Sequence, residues 1–208
     1  RDPRAPEHFG DRMLLEQGFT LVWLGWQADV PRTPGLVRLY APAATEGGKP
    51  ITGLVRAEFT PDKPATVMPL ADRNHVPYPA LDLNDPGATL TVRERAAAPR
   101  RTIPRERWRF SDSGHAEMRS GFEPGKIYEI VYRSQDPLLV GLGPAAIRDF
   151  ISFLKYGGPQ TMFAGERRYL KHAIGWGVSQ SGRFLRTFLY YGFNQDEKGR
   201  RVFDGVWA

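Results

Sequence analysis

The chain contains no cysteine, which excludes disulfide scaffolds, zinc ribbons and thiol nucleophiles. This leaves the redox compartment open, because a cysteine-free chain is stable in oxidising and reducing surroundings alike. No stretch reaches the ~20 apolar residues that a membrane-spanning helix requires. Histidine is scarce: His8, His75, His115 and His172 are the only four. No two of them lie at metal-coordinating spacing, and no acidic cluster resembles a calcium loop, so neither a metal nor another cofactor is expected. Internal repeats, low-complexity tracts, glycosylation sequons and a signal-peptide pattern are also missing.

What is present describes an ordinary globular chain of 208 residues, 41% hydrophobic and 25% charged. Its 22 glycines and 18 prolines are too many for a helical bundle and predict a β-rich or loop-rich portion. The net charge of +6 is concentrated: residues 93–109 hold seven arginines and two glutamates. Nucleic-acid surfaces array such charge on an ordered face with interleaved aromatics. Here Ala96-Ala97-Ala98-Pro99 and Pro104 point instead to a solvated loop, or one that meets an acidic partner. A nucleic-acid partner is not expected.

Along the chain, Met13-Leu14-Leu15-Glu16-Gln17-Gly18 reads as a helix end stopped by glycine. Residues 19–26 form a nearly continuous apolar run, the signature of a strand buried on both faces of a parallel sheet. From residue 31 to 133 short strand-like segments (36–40, 51–59, 88–95, 126–133) alternate with turn clusters such as Asn84-Asp85-Pro86-Gly87. Residues 144–156 return to helical spacing, with Ile147, Phe150, Ile151 and Leu154 on one face, Pro144 at the start and Gly157-Gly158 after the end. A short apolar strand follows at 172–178. Phe184, Leu185, Phe188 and Leu189 then give a helix ended near Gly192. The loop-like start at Arg1-Asp2-Pro3, without methionine, and the strand-like residues 202–208 read as an internal piece of a longer protein.

Strand, sharp turn and helix meet at Gly177-Val178-Ser179-Gln180-Ser181-Gly182, a near match to the G-x-S-x-G nucleophile elbow. Such a turn lifts a serine hydroxyl above the sheet in a strained backbone conformation, and it crowds the positions two before and two after the serine. Gly177 meets that need, and Ser181 stands where glycine is usual. Gly182 lets the helix approach the strand closely. The bland alternative is a small-residue turn without chemistry.

The stretch from Gly177 to Gly205, with Gly192-Phe193-Asn194-Gln195-Asp196-Glu197 and Arg200-Arg201-Val202-Phe203-Asp204-Gly205, resembles the bacterial α/β-hydrolase-domain family. Residues 18–27, 121–128, 136–138 and 141–150 resemble the same family. The resemblance implies a mainly parallel α/β-hydrolase sheet made of residues 1–30 and 134–208, with a β-rich insertion at 31–133. Residues 19–26 and 172–178 would then be neighbouring parallel strands. It implies a serine hydrolase acting on a small-molecule ester, with Ser179 as nucleophile and the backbone N–H of Gln180 as an oxyanion donor. It leans towards an exported bacterial protein, and it says nothing of oligomeric state.

In this family the order is serine, then acid, then histidine. Asp196, Glu197 and Asp204 come too early for the acid, and all four histidines precede Ser179. The acid, the histidine and the second oxyanion donor are therefore expected outside these 208 residues. Trp26 and Gln27, leaving the end of their strand, are pocket candidates, with core packing the equal alternative for Trp26. A dinucleotide site is the first rival: Gly141-Leu142-Gly143-Pro144-Ala145-Ala146 fits G-x-G-x-x-A, with Glu166 further on. The separation from the preceding strand argues for a helix-entry turn. The second rival is an inactive hydrolase-fold protein whose β-rich insertion binds a ligand.

Overall fold

The structure, a computed structural model, describes residues 3–71, 75–157 and 170–208. The chain divides into two compact units, one made of Arg1–Phe19 and Ala28–Leu139, the other of Thr20–Gln27 and Val140–Ala208.

The first unit is antiparallel. A short helix α1 (Met13–Glu16) precedes a small hairpin of β1 (Thr45–Glu46) and β2 (Lys49–Pro50). Seven further strands follow: β3 (Thr52–Phe59), β4 (Ala65–Pro69), β5 (Thr89–Arg93), β6 (Arg101–Ile103), β7 (Trp108–Asp112), β8 (His115–Phe122) and β9 (Ile127–Gln135). They form a four-stranded sheet in the order β3-β9-β5-β6 and a three-stranded sheet in the order β4-β8-β7. Period-two alternation decides which side is buried. Tyr128, Ile130 and Tyr132 of β9 turn inward opposite Phe59, Ala57 and Val55 of β3. On β5, Leu90 and Val92 do the same. The two sheets share one core, where Phe59 meets Phe122 edge-on at 5.3 Å and Phe110 meets Tyr132 at 5.6 Å. Tyr132 also donates its hydroxyl to the Tyr78 carbonyl, and burial pushes its pKa up to about 12.

Residues 93–109 are not a loop. They run from β5 through β6 and a 3-10 turn at Arg105–Arg107 into β7. Three of their seven arginines pair with carboxylates: Arg93 with Glu58, Arg100 with Glu129 and Arg109 with Glu117. Arg105 lies over the Trp108 ring at 4.2 Å. With carboxylates beside them, these three arginines sit on strands or their ends without uncompensated repulsion. Residues 36–40 are not a strand either. Pro31, Pro34 and Pro42 flank them, and proline cannot donate to a ladder.

The second unit holds helix α2 (Gly143–Tyr156), strand β10 (Ile174–Trp176), helix α3 (Gln180–Tyr190) and strand β11 (Gly205–Trp207). Ile147, Ile151 and Leu154 of α2 pack with Leu185 and Phe188 of α3, and with Val202 and Phe203. Strands β10 and β11 pair in parallel, Ile174 with Gly205 and Trp176 with Trp207. This two-stranded sheet is the parallel sheet among the described residues, and the others are antiparallel. The expected mainly parallel sheet is corrected accordingly.

The expected pairing of residues 19–26 with 172–178 is also corrected. Residues 19–26 carry no strand, and β10 takes β11 as its neighbour. The expected burial of the run on both faces is not found: Leu24 and Trp26 pack partly buried against the helical core, while Phe19, Val22 and Trp23 stay more than a third exposed. The Trp26 carbonyl lies so close to Gly143 that no Cβ would fit there. Gly143 of the G-x-G-x-x-A match thus serves a chain contact. The Glu166 and Gly158 of the sequence reading lie outside the described residues.

Candidate active site

At the end of β10 the chain turns through Gly177 and Val178 into Ser179, the residue that precedes α3. Ser179 has φ 54° and ψ −113°. A residue with a Cβ is strained at positive φ, and this combination lies outside even the small left-handed helical region. Three backbone hydrogen bonds hold it there. Gly177 N–H donates to the Trp207 carbonyl at 3.0 Å, Ser181 N–H to Val178 at 3.1 Å, and Arg183 N–H to Ser179 at 3.0 Å. The turn is thereby pinned to β11 on one side and to the first turn of α3 on the other.

Two glycines make this packing sterically feasible. A Cβ on Gly177 would fall 2.7 Å from the carbonyl carbon and oxygen of Ser181. One on Gly182 would fall 3.0 Å from the Gly177 carbonyl oxygen and 3.4 Å from the Ala208 carbonyl carbon. Ser181 itself is half-buried, and its backbone is what crowds Gly177. Ser179 and Gln180 are exposed, and the Ser179 side chain makes no capping hydrogen bond to α3. The hydroxyl is therefore not spent on the helix, and the Gln180 N–H heads the helix beside it.

Trp26 lies flat on Phe184 of α3, ring centroids 4.5 Å apart and planes 19° apart. Its ring is thus in packing contact, and Gln27 next to it is half-buried.

The described carboxylates of this unit have other work. Asp204 accepts from the buried Lys155 Nζ at 2.7 Å and from Ala173 N–H at 2.9 Å, with His172 Nδ1 at 3.8 Å. Burial raises the Asp204 pKa, but the hydrogen bonds from Lys155 and Ala173 outweigh it and leave it lowered. Asp196 accepts from the Ser152 hydroxyl, the Lys198 and Arg200 backbone N–H groups and the Arg200 guanidinium. Burial pushes Asp196 up, yet those hydrogen bonds, Ser152 first, hold it well below the usual carboxylate range. Asp149 and Glu197 both pair with Arg148. His172 lies two residues before β10, with the whole strand between it and Ser179. The sequence reading did not single out Lys155 or Ser152. The available signal was a lysine one turn after Ile151, on the apolar face of α2.

Elsewhere, His75 Nδ1 lies 2.7 Å from Asp29, and His115 Nδ1 lies 2.9 Å from Asp112 in the β7–β8 turn. Among the described residues no three metal-ligating side chains cluster, and no helix is long and apolar enough to cross a membrane.

Neither the curated proteins nor the solved structures include a match to this chain. A family model described as alpha/beta hydrolase domain matches residues 94–208, more than half of the chain, including both parallel strands, α2, α3 and the Ser179 turn. The chain belongs to the alpha/beta hydrolase domain family.

Proposed function

We propose that the protein is a serine hydrolase that cleaves carboxylic esters of small molecules through an acyl-enzyme, with Ser179 as nucleophile. In this reading residues 1–30 and 134–208 make up the hydrolase core and 31–133 a β-rich insertion. The observation that carries the proposal is the strained backbone of Ser179, φ 54° and ψ −113°, directly between a parallel strand and a helix. Strain of ~1–3 kcal/mol at one residue persists where the surroundings over-determine it, and such residues cluster at active sites.

The chemistry follows from the groups present. Ser179 Oγ attacks the ester carbonyl carbon and gives its proton to a general base, which a carboxylate-oriented histidine supplies in sites of this type. The carbonyl π pair moves onto oxygen, where the Gln180 N–H donates to the developing oxyanion. Collapse expels the alcohol, which takes the proton from the base. Water then repeats the sequence on the acyl-serine and releases the acid. His172 is not that base, because its ring nitrogen faces Asp204 at the other end of β10.

The test is covalent labelling of Ser179 by a fluorophosphonate, together with hydrolysis of a simple aryl ester. Ser179→Ala is expected to abolish both. Labelling that survives in this variant removes Ser179 as the nucleophile.

A further inference from the structure

Arg183 stands one helical turn from Ser179, its backbone N–H donating to the Ser179 carbonyl at 3.0 Å. Its side chain is exposed and pairs with no carboxylate among the described residues. The described acids of the unit explain why. Its described acidic residues are Asp149, Asp196, Glu197 and Asp204. Asp149 and Glu197 are held by Arg148, Asp196 by Arg200, and Asp204 by Lys155. No carboxylate among the described residues of this unit is left to neutralise a guanidinium beside the serine.

Helix geometry decides where that charge points. Residues four apart share a face, and helical side chains lean towards the N-terminus over the preceding turn. The guanidinium of Arg183 is therefore directed back along α3 towards Ser179 and Gln180, about one helical pitch (~5 Å) away along the axis. Trp176 and Val178 at the end of the strand and Gln180 at the head of the helix are exposed there. An unpaired guanidinium one turn from the serine suits a planar oxyanion, which it binds with two parallel hydrogen bonds.

We infer that the ester substrate carries a carboxylate, and that Arg183 binds it while Ser179 attacks the ester carbonyl. The inference rests on the Ser179 reading and adds the substrate class to it. Arg183 is thus a specificity-determining residue, with no part in proton transfer.

The experiment compares two 4-nitrophenyl esters of one dicarboxylic acid, the free acid and its methyl-capped form, at equal ionic strength. The protein is expected to favour the free acid at least tenfold in kcat/KM. Arg183→Gln is expected to collapse that preference to within threefold, chiefly through the KM of the free acid, and Arg183→Lys to restore part of it. Arg119→Gln removes an equal charge from β8 in the other unit and is expected to leave the preference as it was. Fluorophosphonate labelling of Ser179 in Arg183→Gln reports that the variant is folded with its nucleophile in place. Labelled wild-type protein with no preference for the free acid overturns the inference about Arg183 alone. So does a preference that survives Arg183→Gln. Wild-type protein that is not labelled at Ser179 overturns the nucleophile reading, and this inference with it.

Discussion

Lys155 Nζ lies 2.7 Å from the Asp204 carboxylate and also donates to the carbonyls of Arg201 and Val202. All three ammonium protons are used, and the side chain is 1% exposed. The pair joins α2 to the segment entering β11, and Asp204 passes the connection to β10 through Ala173. Asp204→Asn is expected to destabilise the protein by about 2–4 kcal/mol, because it strands a buried ammonium. Lys155→Met, which removes the charge as well as the bonds, is expected to cost less than Asp204→Asn. Urea unfolding at neutral pH measures both. If Lys155→Met proves the more damaging, the pair is stabilising in its own right, and the argument from a stranded charge is wrong.

The contrast between Lys155 and the residues around it shows what a sequence can reveal. Ile147, Ile151 and Leu154 announce α2 because helical periodicity is local, and Gly177, Ser179 and Gly182 announce the turn for the same reason. Lys155 falls on the same apolar face, but its partner lies 49 positions away, and nothing local specifies that. Residues 19–26 failed for a related cause. A continuous apolar run predicts burial, but how much of it is covered and whether a ladder partner lies beside it are properties of the fold, and here Phe19, Val22 and Trp23 stay exposed. The arginine-rich stretch misled because outward Arg109 alternates with inward Trp108 and Phe110, so the charges masked a period-two strand.

The turn geometry makes a steric prediction. Gly177→Ala sets a Cβ against the Ser181 carbonyl, and neither group is a flexible side-chain end that can swing away. The first turn of α3 must shift, and with it Ser179 and the Gln180 N–H. A misplacement of about 1 Å costs roughly 10²-fold in rate. Gly177→Ala is therefore expected to slow fluorophosphonate labelling about a hundredfold. Gly53→Ala in β3, where no atom lies within 4 Å of the added carbon, is expected to leave labelling unchanged.

Acid sensitivity follows from Asp196. Its carboxyl is held well below the usual range in the folded state, whereas in the unfolded chain it titrates near ~4. A group with a lowered folded pKa gives its stabilisation fully above the unfolded value and loses it as pH falls through the folded one. Asp196→Asn is expected to lower stability at pH 7 by about 2 kcal/mol, since it loses charge-assisted hydrogen bonds from Ser152 and Arg200. Because both proteins lack that charge once it is protonated, the two stability curves are expected to converge below pH 4. Denaturation midpoints between pH 2 and pH 7 test this. Parallel curves would mean that Asp196 does not titrate differently in the folded and unfolded states.

Ser179 offers the sharpest separation of stability from chemistry. Its backbone sits at φ 54° and ψ −113° with a Cβ attached, a conformation that glycine adopts without the steric cost. Ser179→Gly removes the strain, worth ~1–3 kcal/mol. Against that stands ~0.5–1 kcal/mol for the greater freedom of glycine in the unfolded chain. The net expectation is a protein about 1 kcal/mol more stable than wild type and with no labelling or esterase activity. Ser179→Ala loses the same chemistry but keeps the Cβ, so its stability is expected to stay within about 0.5 kcal/mol of wild type. The comparison isolates the backbone, because neither variant has the hydroxyl. Thermal or urea unfolding of the three proteins decides it, and the expected order is Gly above Ala, with Ala level with Ser. Ser179→Gly less stable than Ser179→Ala would show that the turn holds no strain at this residue, and the strain argument for a nucleophile there would fall.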